Sequence, residues 1–322
     1  MRTQAVQKEK NMGIKIEAAA YSSIGGRKNN EDNFYLNGVF LKREQMDGGG
    51  KVSQVNTQSL QVYAVFDGMG GGDFGEYASS FAAGQLKEYH DNSEHVDHAE
   101  NLRRFLTETS QGIDKISSDH GLRSGACGST VAMLVVGDWW YRPVHVGDSR
   151  IYLLRDGDLK RVTKDQSEVQ RLVDAGRITP DEAFNHPRKN VITHHLGMPL
   201  RTGELHSIIG ERISLQAGDC FLICSDGVSD SLRDREILAS IDPAAKAENI
   251  AATVVRSAKK RADEMGVESD NITAIILKVH QVAGSGDAEK RVKGLELRQK
   301  IAAAAAGLFT LGAIGALIMM LL

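Results

Sequence analysis

Between Gly128 and Val162 the chain runs through four strand-like segments with no helix among them. STVAMLVVG and WWYRPVHVG are apolar and rich in β-branched and aromatic residues. RIYLLR and DLKRV flank Asp156-Gly157, a strong hairpin signal. Strands joined by short turns pair antiparallel, because a parallel pair needs a crossover of about a dozen residues or more. A doubly wound parallel sheet alternates strand and helix, and that alternation is missing here. The flanking blocks agree. IKIEAAAYS, FYLNGVFL and LQVYAVFD read as strands, with GGGKVSQVNTQS as a polar loop tip. GEYASSFAAGQLKEYH and residues 97–118 have helical spacing, and residues 165–187 look helical and polar, punctuated by Pro180 and Pro187. LHSIIG, CFLICSD and NITAIILKVH read as strands around a helical pair from Arg233 to Ala262. The expectation is an α+β fold of antiparallel sheets flanked by helices.

The stretch VFDGMGGGDFG poses a choice. Gly70, Gly72 and Gly75 satisfy G-x-G-x-x-G, the spacing of a dinucleotide-binding turn. That turn belongs to the first strand–helix unit of a parallel sheet, whereas here two strand-like segments precede it. The glycines are better read as serving the aspartate before them.

Asp67-Gly68 and Asp226-Gly227 each follow an apolar strand, VYAVF or FLICS. Asp148 ends WYRPVHVG, Asp270 stands immediately before NITAIILKV, and Glu31 and Asp32 precede the strand that starts at Phe34. One such aspartate is a turn residue; five or six at strand ends point elsewhere. A hard divalent cation takes oxygen ligands, and neighbouring strand ends fix the spacing of their carboxylates to about 4.8 Å. Two metals about 3.5–4 Å apart can share one carboxylate and one water, which becomes acidic. Glycine beside Asp67 lets a backbone carbonyl approach an ion. Arg27, in GGRKNNEDN, is the candidate phosphate-gripping guanidinium, and Arg150 in VGDSR reads as a structural partner for a carboxylate.

RKNNED, DGMGG, GST, VGDSR, TKDQS, SDGV and DNIT follow the order and rough spacing of the metal-dependent type 2C serine/threonine protein phosphatases. The resemblance covers about residues 14–280. It implies a four-layer α-β-β-α sandwich, two antiparallel sheets between helix pairs, with an Mg²⁺ or Mn²⁺ pair in a cleft at one end. At matched positions it implies that Asp67 bridges both metals, that the Gly68 carbonyl binds the second with Glu31 nearby, directly or through water, and that Asp226 and Asp270 hold the first. Asp148 with Asp226 matches a third metal site of many bacterial members. Arg27 matches the phosphate-binding arginine, Asp32 and Asn271 the residues that orient metal-bound water, and Ser129 and Thr130 positions that support the site. The implied reaction is in-line attack on phosphoserine or phosphothreonine by a metal-bridging hydroxide, without a phosphoenzyme. The implied partners are phosphoproteins made by a serine/threonine kinase. Three departures stand out. Met69 occupies the place of a frequent His and cannot act as an acid, Gln166 replaces a frequent His, and His194-His195 interrupts a usual pattern. The last two flank residues 168–197, which resemble a mobile flap.

Other features narrow the reading. The formal net charge of -3 argues against nucleic acid as a partner. Cys127, Cys220 and Cys224 form no disulfide framework and fit a reduced, cytosolic setting. His90, His95 and His98 lie among acids and read as solvated rather than metal-binding. The N-terminal MRTQAVQKEKN has no apolar run, so no signal peptide is expected. Residues 1–12 read as a tail, 13–280 as the catalytic unit and 281–300 as a linker with a juxtamembrane segment. Ile301 to Leu322 carries no charge and as a helix reaches roughly 33 Å, enough to cross a hydrocarbon core. Lys290, Arg291, Lys293, Arg298 and Lys300 precede it, so a transmembrane helix is expected, with the catalytic unit on the cytoplasmic face.

Overall fold

The four-strand run becomes β7 (Val131–Gly137), β8 (Trp140–Val146), β9 (Arg150–Arg155) and β10 (Asp158–Arg161). β7 pairs with β8 and β9 with β10, all antiparallel. β8 and β9 lie in different sheets, so the chain crosses from one sheet to the other at Gly147–Ser149. Gly147 makes this crossing at φ +100°, where a Cβ would stand 2.7 Å from the Thr130 methyl. Asp148 therefore sits between the two sheets.

The computed structural model describes residues 13–70, 74–92, 96–200, 203 and 205–283. The expected tail, the membrane helix and nearly all of the linker lie outside these residues, as do Gly72 and His95. Among the described residues no helix is long and apolar enough to cross a membrane.

The remaining strands are β1 (Lys15–Ser23), β2 (Asp32–Leu36), β3 (Val39–Phe40), β4 (Gly50–Asn56), β5 (Leu60–Gly70), β6 (Cys127–Ser129), β11 (Ile208–Ile209), β12 (Ile213–Ser214), β13 (Cys220–Cys224) and β14 (Ile272–Gln281). One sheet has the order β10-β9-β13-β14-β1-β4. The other has β11-β8-β7-β5-β2-β3, with β12 on β8 and β6 on β5. The helices are α1 (Gly75–Asn92), α2 (Ala99–Asp119), α3 (Glu168–Asp174), α4 (Pro180–Phe184), α5 (Asp226–Ser229), α6 (Asp234–Ala239) and α7 (Ala247–Met265).

Three apolar layers hold these elements. Ile16, Val65, Leu134, Phe221 and Ile275 pack between the sheets. Ala82 and Leu86 of α1 and Leu106 of α2 pack on Val62, Ala64 and Phe66. Ile250, Val254 and Ala258 of α7 pack on Tyr152, Leu222 and Ile276. The result is helix, sheet, sheet, helix, as the resemblance implies. It also explains why β7 is buried at every position. Its side chains alternate between two cores, so neither face needs polar residues.

Three readings need correction. The polar tip GGGKVSQVNTQS contains β4, which pairs with β1 from Ile16↔Asn56 to Ser22↔Gly50. An edge strand has to bury only one face, and here Val52 alone packs against the inter-sheet core, so its apolar signal is faint. FYLNGVFL is a hairpin of β2 and β3 turned at Asn37 and Gly38, both at positive φ. Asp67 is not at a strand end. β5 continues to Gly70, and its last three residues pair with β6.

Candidate metal centre

Asp32 of β2 stands directly opposite Asp67 of β5. Opposed residues of an antiparallel pair project to the same face with Cβ atoms about 4.5–5.5 Å apart, so the register alone juxtaposes two carboxylates. Backbone bonds fix the neighbourhood. The Gly68 N–H donates to the Glu31 carbonyl at 3.0 Å and the Thr130 N–H to the Asp67 carbonyl at 2.8 Å. The Asp67 N–H donates to Thr130 Oγ1 at 3.1 Å, and Thr130 Oγ1 meets Ser149 Oγ at 2.7 Å. Thr130 thus supports the site without facing it chemically.

The glycines allow close approach. A Cβ on Gly68 would lie 2.2 Å from the Gly75 carbonyl oxygen and 2.5 Å from that of Glu31; one on Gly75 would lie 2.6 Å from the Glu31 carboxyl carbon. The N-terminus of α1, where a dinucleotide fold would hold its pyrophosphate, receives the Glu31 carboxylate through the Gly75 N–H.

The other sheet brings Asp226 and Asp270. Asp226 opens α5 directly after β13, and Gly227 passes so close to β14 that a Cβ would be 2.0 Å from the Asn271 carbonyl oxygen. Asp270 Oδ1 accepts the Asn271 N–H at 2.8 Å, and its Oδ2 pairs with Arg27 Nη2 at 2.8 Å. Asn271, matched to a water-orienting position, has a bracing role in this structure. Its Oδ1 accepts the Glu31 N–H at 2.8 Å, and its Nδ2 donates to the carbonyls of Ile24 and Asn29 at 3.0 and 2.9 Å. With both amide hydrogens engaged, it braces the Arg27 loop against β14.

The carboxylates act on one another. Burial pushes Asp67 far above the usual range, and Asp226, Asp32, Asp148 and Asp270 add to this. Asp226 is raised in the same way by burial, then by Asp230, Asp148 and Asp270, and it is in hydrogen-bond contact with Asp67. Burial moves Asp32 up to about 7, with Asp270 and Glu31 adding. Asp148 goes up to about 7 through burial, Asp165 and Asp230. Glu31 also reaches about 7, through burial, Glu76 and Asp270. The six carboxylates singled out in the sequence therefore act on one another electrostatically, and Arg27 pairs with one of them, Asp270. Among the described residues they do not close into a finished coordination shell.

The donor set is all oxygen and suits a hard divalent cation. Asp32 Oδ1 is buried without a hydrogen-bond partner. A buried carboxylate oxygen of this kind is costly unless a cation or a water meets it. On both counts Mg²⁺ or Mn²⁺ fits.

Asp230 escaped the sequence reading, although S-D-G-V-S-D places it four residues after Asp226 on a helical turn. It pairs with Lys189 at 2.9 Å. A cleft of about 750 Å³ adjoins this group, lined by Asp148, Asp226, Phe184, Lys189 and Arg233 among others. Its outer wall is the segment likened to a flap. Arg233 pairs with Asp181 and lies 4.4 Å over the Phe184 ring. Arg150 grips Asp165 with Nε and Nη2, the structural role expected of it. Gln166 holds Gly147, accepting its N–H at 2.8 Å, and reaches His206. His90 meets the Tyr35 hydroxyl at 2.8 Å, His194 packs on His206 and His195 Nδ1 contacts the Leu196 carbonyl. Burial pushes the Cys220 and Cys224 thiols up to about 12, which rules both out as nucleophiles.

A family model described as protein phosphatase 2C matches residues 50–256. The chain belongs to the protein phosphatase 2C family. Over 221 residues this phosphatase 2C chain is 34% identical to the serine/threonine protein phosphatase PstP of Mycobacterium tuberculosis, a match covering 68% of this chain and 40% of that protein. It is 33% identical over 187 residues to the protein phosphatase PhpP of Streptococcus pneumoniae, covering 57% and 73% respectively. The crystal structure of the M. tuberculosis phosphatase PstP/Ppp aligns with a TM-score of 0.67 at 30% identity, over 83% of this chain and 100% of that one. The PstP catalytic domain in complex with two manganese ions aligns with a TM-score of 0.64 at 30% identity, over 83% and 99%. This phosphatase 2C chain spans 40% of the length of its full-length M. tuberculosis relative.

Proposed function

We propose that this chain is a metal-dependent protein-serine/threonine phosphatase acting on phosphoproteins made by a serine/threonine kinase. One observation carries the reading: Asp32 stands directly opposite Asp67, and Glu31, Asp32, Asp67, Asp148, Asp226 and Asp270, from five separate segments, act on one another electrostatically beside the Arg27–Asp270 pair. Asp67, Asp226 and Asp270, with the Gly68 carbonyl and Glu31, would hold two Mg²⁺ or Mn²⁺ ions, and Asp148 with Asp226 a third. Bound there, the ions supply acidified water and neutralise charge on the phosphoryl group.

The chain's own residues do the rest. Arg27 is half exposed and paired with Asp270, so it exchanges that carboxylate for the phosphate oxygens of an incoming substrate. Asp32 offers Oδ1 to water on the metal side. Met69 has no proton to give, so the leaving seryl or threonyl oxygen takes its proton from water or another group. The metal-stripped protein should turn over p-nitrophenyl phosphate and a phosphothreonyl peptide only after Mn²⁺ is added. Asp226→Asn should abolish both reactions; wild-type turnover by that variant would end the reading.

We further propose that the chain is held at the cytoplasmic face of a membrane by Ile301 to Leu322, behind the linker that follows the catalytic unit. The support is the uncharged run and the five Lys and Arg residues before it. Full-length chain should stay in carbonate-washed membranes, and a version ending at Val282 should not. Equal release of both would remove the tether.

A further inference from the structure

Ser225 lies between β13 and α5, fully buried. A serine in this place ordinarily turns its hydroxyl onto the first N–H groups of its helix. Ser225 makes no such bond. Its Oγ instead accepts the Thr273 N–H at 3.0 Å and donates to Asp32 Oδ2 at 2.7 Å. The direction is fixed by chemistry. The Thr273 amide can only donate, so the single hydroxyl hydrogen is left for Asp32. A second bond, from the Ser225 N–H to the Thr273 carbonyl at 3.1 Å, locks the residue to β14. Ser225 thereby holds Asp32 through Oδ2, with the Thr273 side chain also within reach of the carboxylate, while Oδ1 stays buried with no hydrogen-bond partner among the charges of Glu31, Asp67 and Asp270.

We propose that Ser225 is a positioning residue. It fixes the Asp32 carboxylate so that Oδ1 faces the metal side, and it forgoes its helix-capping bond to do so. Its backbone simultaneously sets Asp226, the next residue, so one position aligns carboxylates of both sheets. The inference rests on the phosphatase reading above.

The test compares Ser225→Cys, Ser225→Ala and Asp32→Asn with the full-length protein on p-nitrophenyl phosphate at saturating Mn²⁺. Ser225→Cys is the nearest replacement in shape, slightly larger, and its thiol is a weaker donor that keeps a weak acceptor for the Thr273 N–H. Its kcat should fall about 10- to 100-fold with KM within about threefold. Calorimetry should find its Mn²⁺ affinity within about threefold of wild type, and its melting temperature should be nearly unchanged, because the loss lies in orientation rather than folding. Ser225→Ala should lose at least as much kcat and also melt lower, since the Thr273 N–H is left without an acceptor. Combining Ser225→Cys with Asp32→Asn should lower kcat by less than about threefold beyond Asp32→Asn alone. Wild-type kcat in Ser225→Cys, or multiplying effects in the double variant, overturns the proposal. Absence of Mn²⁺-dependent turnover in the unmutated protein overturns the phosphatase reading as well, and is seen before any variant is compared.

Discussion

Replacing Asp148 with Asn should stabilise the metal-free protein while weakening its response to metal. Asp148 rises from 3.8 to about 7, mainly through burial, then through Asp165 and Asp230. The sign follows from proton linkage. Between about pH 4 and pH 7 the folded state holds a proton on this carboxyl that the unfolded state has released, so stability falls as pH rises through that window and stays low above it. A displacement of about 3 pKa units at about 1.4 kcal/mol each makes the ionised carboxylate unfavourable by roughly 4 kcal/mol at pH 8. Asparagine removes the charge. At about 2–4 °C per kcal/mol for a domain of this size, the metal-stripped variant should melt roughly 8–16 °C above wild type at pH 8, less whatever its amide leaves unbonded. At pH 5 the gap should shrink to less than half, because the wild-type carboxyl is then protonated when folded. Thermal unfolding after chelator treatment, at both pH values and again with Mn²⁺, measures all of this. Saturating Mn²⁺ should raise the melting point of wild type more than that of the variant. A metal-free Asp148→Asn protein that melts at or below wild type at pH 8 would refute the idea that repulsion and burial strain this site.

Arg27→Ala should raise KM for phosphopeptide, yet bind Mn²⁺ up to about fivefold more tightly by calorimetry, since the half-exposed pair it forms with Asp270 is worth no more than about 1 kcal/mol. Gly68→Ala should destabilise the fold by about 1–3 kcal/mol in urea, because its Cβ would meet two backbone carbonyls and neither can yield locally. Arg233→Ala removes the Asp181 pair and the Phe184 contact, so hydrogen exchange should quicken over residues 180–189 and stay unchanged in α7.

Much of the site was legible because Asp148, Asp226 and Asp270 sit where strands meet short turns, and Asp226-Gly227 and Asp270-Asn271 mark such places in the sequence. The architecture was legible because strands buried on both faces are apolar throughout, as in β7 and β13. What stayed hidden depends on contacts between distant segments. β4 has one weakly apolar face at a sheet edge, so nothing local separates it from a loop. The glycines after Asp67 extend a strand because β6 pairs with them, a fact written some 60 residues away. Asn271 is polar and next to Asp270, and its bracing role shows only in its three backbone partners from a distant loop. Ser225 looks like a helix cap in any local window, and the carboxylate that draws its hydroxyl away lies 193 positions earlier.

The cluster also sets where the molecule is weakest. Asp32 and Asp67 belong to one sheet, while Asp226 and Asp270 flank strands of the other. Their repulsion therefore acts across the gap between the sheets, at one end of it. The opposing attraction is the inter-sheet core, together with bonds that cross at the site, among them Ser225 to Asp32 and Asn271 to Glu31. Local opening should then begin at this end, and a cation that neutralises the cluster should close it, so that a ligand of catalysis is also a clamp between the two sheets.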